Sequence, residues 1–153
     1  MKIVLLAVGR LRSAPLRDVC ADYLARLQRF GPAEVVEVKA ADSQSIQQRL
    51  AQEGQRLLAA LQPSDWLVVL DERGKQLSSV ELSDALKTHE LRAVRRLVFV
   101  LGGAYGLADD VKRMGTLLAL SKMTLPHEFC RALIMEQLYR ARTIQRGEPY
   151  HHA

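Results

Sequence analysis

Three short segments hold the residues best suited to chemistry. The first is Leu101-Gly102-Gly103-Ala104-Tyr105-Gly106, which follows an apolar run. In an α/β sheet, loops at the carboxyl ends of strands build ligand sites, and glycine lets backbone come close to what is bound. The same glycines would serve equally in a plain tight turn. The second segment, Leu120-Ser121-Lys122-Met123-Thr124-Leu125-Pro126-His127, leads from another apolar run into a proline that can open a helix. Alone it reads as readily as an ordinary helix start. The third is the tail, where Tyr150 and His151 offer a phenol and an imidazole able to take or give a proton, on a terminus of the kind that often frays. Between the second and third segments lie Arg131, Arg140, Arg142 and Arg146. Arg131 and Arg142 are candidates for pairing with nucleic-acid phosphates, as is Lys122 from its loop. Glu136 and Arg140, four apart, predict a surface ion pair.

The elements that must position these residues follow from periodicity. Apolar runs rich in β-formers occur at 2–8, 33–40, 65–71, 96–103 and 116–121. Several are nearly continuous in Val, Leu and Ile, which predicts strands covered on both faces, as in a parallel sheet. Helical patterns lie between them. One runs over about 14–30 with Val19, Tyr23, Leu27 and Phe30 on one side, and one over about 45–61 with Ile46, Leu50, Leu57, Leu58 and Leu61. A third covers about 79–90. Ser45 with Gln48 and Ser78 with Glu81 have capping-box spacing, and Asp109 is placed to cap a short helix before Met114. Pro126 opens a long final helix to about 146, ended by Gly147 and Pro149. The alternation predicts one α/β domain over 1–153 with a mostly parallel sheet and helices on both faces.

Composition narrows the partners. With 48% apolar and 25% charged residues, neither the disordered nor the membrane class fits. The opening MKIVLLAVG reads as a strand because arginines follow where a cleavage site would be, so the cytoplasm is the expected location. The net charge of +5 favours an anionic partner. Cys20 and Cys130 sit far apart beside apolar neighbours and are expected to be buried thiols, and no histidine stands at zinc spacing from a cysteine, so no metal is expected. The loop after the first strand, VGRLRSAP, has a single glycine, which disfavours a dinucleotide-binding oxidoreductase, and neither a P-loop nor a GxSxG elbow is present.

Taken in order, KIVLLAVGR, LDERG at 70–74, the glycine loop, SKMTLPH, EQLYRA and the terminal Tyr-His pair resemble the SPOUT class of RNA methyltransferases over essentially the whole chain. More narrowly they resemble the RlmH family, small bacterial enzymes that methylate N3 of a pseudouridine in large-subunit (23S) ribosomal RNA. The resemblance implies a C-terminal deep trefoil knot, an exception to the rule against threaded chains. It also implies S-adenosyl-L-methionine (SAM) held largely by backbone of three loops. By motif these carry Leu70, then Gly102, Gly103 and Gly106, then Leu120, Ser121, Lys122, Met123, Thr124 and Leu125. On the same basis Gly102→Val is expected to fill the cofactor cleft, Tyr150 and His151 are the catalytic candidates, and a homodimer is expected in which the tail of one subunit completes the site of the other. The large ribosomal subunit is the implied partner. Many relatives carry a proline after the glycine pair, whereas Ala104 and Tyr105 stand here. A rival reading is a ribosome-binding factor that keeps the fold without methyl transfer.

Overall fold

The computed structural model describes residues 1–152 and contains five strands and five helices in strict alternation. These are β1 (Lys2–Val8), α1 (Ala14–Gln28), β2 (Ala33–Val38), α2 (Ile46–Ala59), β3 (Asp65–Gln76), α3 (Ser79–Leu91), β4 (Arg96–Leu101), α4 (Asp109–Lys112), β5 (Thr116–Ala119) and α5 (His127–Arg146). The sheet order is β2-β1-β4-β3-β5 and every pairing is parallel. All strands therefore end at the same edge, and the loops after β1, β4 and β5 emerge there together.

Central position explains the unbroken apolar strands. In β1, Ile3 through Val8 are buried, and in β4 Leu97 through Leu101 are, because each strand has neighbours on both sides and helices on both faces. Successive side chains alternate between two cores. On one face Ile3, Leu5, Leu97 and Phe99 pack with Leu27, Leu82, Leu86, Ile134, Met135 and Leu138, which come from α1, α3 and α5. On the other, Val4, Leu6, Val8, Val98 and Val100 pack with Leu57 of α2 and Val111 of α4. Burying one such side chain fully is worth roughly 1.5–3 kcal/mol.

Helix starts follow their sequence signals with two exceptions. Ser78 and Glu81 form the full reciprocal capping box of α3. At α2 only half of the expected box forms: Ser45 accepts from the Gln48 N–H, while the Gln48 side chain accepts from the Ser43 hydroxyl at 2.7 Å instead of reaching back. Asp109 is the first residue of α4, and Ala108 is its cap. In α1 the buried positions are Cys20 and Leu27, with Tyr23 and Leu24 beside them, while Val19 is exposed. Ile46 of α2 is exposed as well.

The largest departure is in β3, which continues to Gln76 where the apolar run ends at Asp71. Both Leu70 and Lys75 stand opposite Leu118 of β5, so the four residues between them are looped out of the ladder as a bulge. Hydropathy ends with the buried part of the strand, and the end of the polar part is held by pairing of Lys75 and Gln76 with β5.

Candidate functional site

The bulge of β3, the loop after β4 and the loop after β5 meet at the carboxyl edge of the sheet and enclose a cleft of about 670 Å³. Its apolar walls include Leu70, Leu101, Leu118, Leu120 and Leu125. Of the cofactor candidates, Leu70, Gly102, Gly103, Gly106, Leu120, Ser121, Met123, Thr124 and Leu125 all line it. Lys122 does not. It is exposed, on a loop turned by the Ser121 hydroxyl accepting the Met123 N–H at 2.9 Å.

The glycine loop is a tight closure. The Gly106 N–H donates to the Gly103 carbonyl at 3.1 Å, leaving Ala104 and Tyr105 at the tip. Gly106 has φ of +82°, a conformation that a side chain disfavours. A β-carbon on Gly102 would stand 2.2 Å from the Gly106 carbonyl oxygen. Gly102 is therefore pressed against the returning segment of its own loop, and a side chain there would collide with the Gly106 backbone. The Tyr105 ring lies under the Arg49 guanidinium of α2, at 5.6 Å.

An ion pair lines the cleft. Asp71, in the bulge, meets Lys112 of α4 at 2.8 Å. Burial works to raise the Asp71 carboxyl, but the Lys112 ammonium and the Arg73 N–H outweigh it and hold the group below the usual carboxylate range. Glu72 accepts from the Thr124 hydroxyl at 3.5 Å, linking the bulge to the loop after β5. Cys130 closes the inner wall, and burial pushes its thiol up, so it presents a neutral group.

Two candidates for RNA contact are overturned. Arg131 is 1% exposed and its guanidinium is spent inside the protein, donating to the Val8 carbonyl and to Glu37, each at 2.7 Å, and also to the Gly9 carbonyl. Lying one turn into α5, it faces the end of β1, where strand carbonyls have no partner strand, and it ties β1 and β2 to α5. Arg142 is 7% exposed and binds Glu90 of α3 at 2.6 Å and Gln145 at 2.8 Å. Both arginines are internal fastenings.

Tyr150 and His151 lie together but away from the cleft of their own chain. The Tyr150 hydroxyl donates to Glu136 at 3.0 Å and is 3.0 Å from the Tyr23 hydroxyl, and its ring packs edge-on to Tyr139 beneath the Arg140 guanidinium. Burial, then the bonds to Tyr23 and Glu136, raise its pKa well above that of a free phenol, so the group stays protonated. His151 Nδ1 is 3.4 Å from Arg140, which is also bonded to Glu136 at 2.9 Å as the spacing predicts. Cys130 lines the cleft and Glu136 holds the tail, so about 9 Å of helix separates the two places.

Reasoning from sequence missed the Asp71–Lys112 pair and a further acid, Glu128. Its carboxylate accepts the backbone N–H groups of Arg12 at 2.7 Å and Ser13 at 3.2 Å. An acid in the first turn of α5 is a recognisable helix-end signal, but a partner 116 residues away is not.

Comparison with known proteins finds relatives along the whole chain. A family model described as predicted SPOUT methyltransferase matches residues 1–151. The chain is 45% identical to a ribosomal RNA large subunit methyltransferase H of Syntrophotalea carbinolica, with 99% of each chain covered. It is 44% identical to the protein of that name from Gloeobacter violaceus, again over 99% of both, and 42% identical to the one from Porphyromonas gingivalis, also over 99% of both. Among solved structures, a probable methyltransferase from Bordetella pertussis shares the fold with a TM-score of 0.57 at 15% identity, covering 92% of this chain and 96% of that one. A probable methylase family protein from Haemophilus influenzae does so with a TM-score of 0.52 at 12% identity, covering 99% of this chain and 70% of that one. With a family model spanning nearly the whole chain and relatives matching it end to end, the chain belongs to the SPOUT methyltransferase family, in the branch of the ribosomal RNA large subunit methyltransferase H proteins.

Proposed function

We propose that this protein transfers a methyl group from SAM to N3 of a pseudouridine in large-subunit ribosomal RNA, acting on the assembled subunit. The observation that carries the reading is the cleft itself, in which nine of the residues singled out by family motif converge from three loops. Its volume of about 670 Å³ falls within the roughly 300–1,000 Å³ typical of small-molecule pockets. Its chemistry fits an amphipathic cofactor: leucine walls suit an adenine ring, and exposed backbone at Gly102 to Gly106 and at 120–125 can meet its edges. When bound, SAM supplies an electrophilic methyl group on a sulfonium.

What the chain must supply is alignment and proton handling, because in-line transfer gains most from a fixed approach. The Asp71–Lys112 pair keeps the bulge and α4 in place around the cleft. The N3 imide must lose its proton. Tyr150, held protonated, would donate to the developing anion by turning its single proton away from Glu136, and His151 is the tail group able to accept a proton.

Since Tyr150 and His151 stand outside the cleft of their own chain, the reading requires a homodimer in which the tail of one copy reaches the cleft of the other. Phe129 and Leu133 support it, since both are large apolar side chains left exposed on α5, on either side of the cleft-lining Cys130 and short of Glu136, which holds the tail. The trefoil threading of the segment after β5 belongs to the same proposal. Calorimetry with SAM, run beside light scattering, tests it. Micromolar binding by a dimer is expected, and a chain that binds no SAM would instead be a ribosome-binding factor.

A further inference from the structure

With Arg131 and Arg142 turned inward, the cations that could meet RNA must be found elsewhere. Eight of the 22 lysines and arginines are closed in ion pairs: Lys2, Arg26, Arg96, Lys112, Arg113, Arg131, Arg140 and Arg142 each lie within 4.0 Å of a carboxylate. Arg10 and Arg12, on the loop between β1 and α1, are exposed and belong to none of these pairs. Their loop leaves the sheet at its carboxyl edge, the edge that carries the cleft. It is also fixed there. Glu128 accepts the N–H groups of both Arg12 and Ser13, and Glu128 sits between His127 and Cys130, both of which line the cleft. The Arg12 backbone is thus held within about one helical turn of the cleft wall. Arg17, one turn into α1, braces the loop from the other side by donating to the Leu11 carbonyl at 3.3 Å.

A carboxylate that binds only the backbone of an arginine-bearing loop has a distinctive effect. It fixes the loop's position while leaving the guanidinium groups unspent, the opposite of what the acids do at Arg131 and Arg142. Guanidinium groups free on a fixed loop match phosphodiester oxygens in geometry and charge.

We propose that Arg10 and Arg12, positioned by the Glu128 clasp, form the RNA-backbone contact beside the cleft and hold phosphates flanking the target nucleotide. The assignment rests on the methyl-transfer reading above. Glu128 is a positioning residue, and the two arginines are the contacts.

The test measures binding of purified large ribosomal subunits by the full-length protein across a salt series, alongside methyl transfer from labelled SAM. Each phosphate contact contributes roughly 0.7–0.9 to the slope of log affinity against log salt. Arg10→Ala with Arg12→Ala should lower that slope by about 1.4–1.8, so that the affinity lost between 50 and 200 mM salt shrinks by about tenfold. The KM for subunits should rise, with kcat and SAM affinity unchanged. Arg92→Ala with Arg95→Ala removes equal charge at the opposite edge of the sheet and should leave the slope unchanged. Glu128→Ala should weaken subunit binding although both arginines remain, and Glu128→Gln, which still offers an amide oxygen to the loop, should recover most of it. An unaltered slope in the Arg10, Arg12 double variant overturns the assignment, as does an equal loss in the control variant. If the wild type bound subunits with the expected slope but transferred no methyl group, the functional reading would fall and the contact would stand.

Discussion

Placing a methyl group on Gly102 tests how the glycine loop is built. In Gly102→Ala the new carbon would stand 2.2 Å from the Gly106 oxygen, 2.5 Å from the Gly106 carbonyl carbon and 2.9 Å from Leu107 Cγ. Ordinary contact begins near 3.4 Å, so the Gly106 carbonyl must retreat by about 1.2 Å, and being backbone it cannot do so by rotating a side chain. Overpacking of this kind costs about 1–3 kcal/mol. In a chain of this length that lowers the melting temperature by about 2–12 °C, since each kcal/mol is worth roughly 2–4 °C. The displaced atoms form the cleft wall, and a misplacement near 1 Å reduces a positioned reaction by on the order of 10²-fold. Gly103→Ala is the comparison. Its nearest neighbour would be Val8 Cγ1 at 3.2 Å, the end of a side chain that can yield, so its thermal shift should fall at the small end of that range. Scanning calorimetry reads the stability, and titration with SAM reads the cleft. If Gly102→Ala melted with the wild type and bound SAM with unchanged affinity, the loop would not be closed as described.

Arg131→Ala removes a buried cation that serves Glu37 and two carbonyls, and it should cost about 3–5 kcal/mol, seen as a lower denaturation midpoint, with no specific effect on the salt dependence of ribosome binding. Because the fold raises the Tyr150 phenol above its usual value, the folded protein binds more protons than the unfolded chain once pH passes about 10. Stability should therefore be intact below that pH and decline as pH rises further, and Tyr150→Phe should flatten the decline. The Arg12 N–H chiefly, with that of Ser13, draws the Glu128 carboxyl below the usual glutamate range, so the amide resonances of Arg12 and Ser13 should titrate together at a pH under that of a free glutamate. Titration at the ordinary value would mean that the clasp is absent in solution.

The layered fold was legible because β1 and β4 are apolar throughout, as only strands buried on both faces need be, and because the helices between them carry caps. The carboxyl-edge cleft was legible through its glycines and through motif. What escaped was long-range pairing. The polar half of β3 has no apolar signature, since it is held by ladder bonds to β5 around a bulge. An arginine on a helix reads the same whether it meets solvent or a strand end, and only the fold turned Arg131 and Arg142 inward. The face of α1 was misjudged at Val19 because the helix packs along Cys20, Leu24 and Leu27. Glu128 and the Arg12 N–H lie 116 residues apart, beyond any local spacing rule.

Large ribosomal subunits from cells lacking this gene, incubated with the purified protein and methyl-labelled SAM and then digested for mass mapping of their RNA, test the central claim most directly. The account predicts one labelled methyl group on N3 of a single pseudouridine, lost when the glycine loop is blocked at Gly102. Label on another base, or no label with a protein that binds SAM and subunits normally, would contradict it.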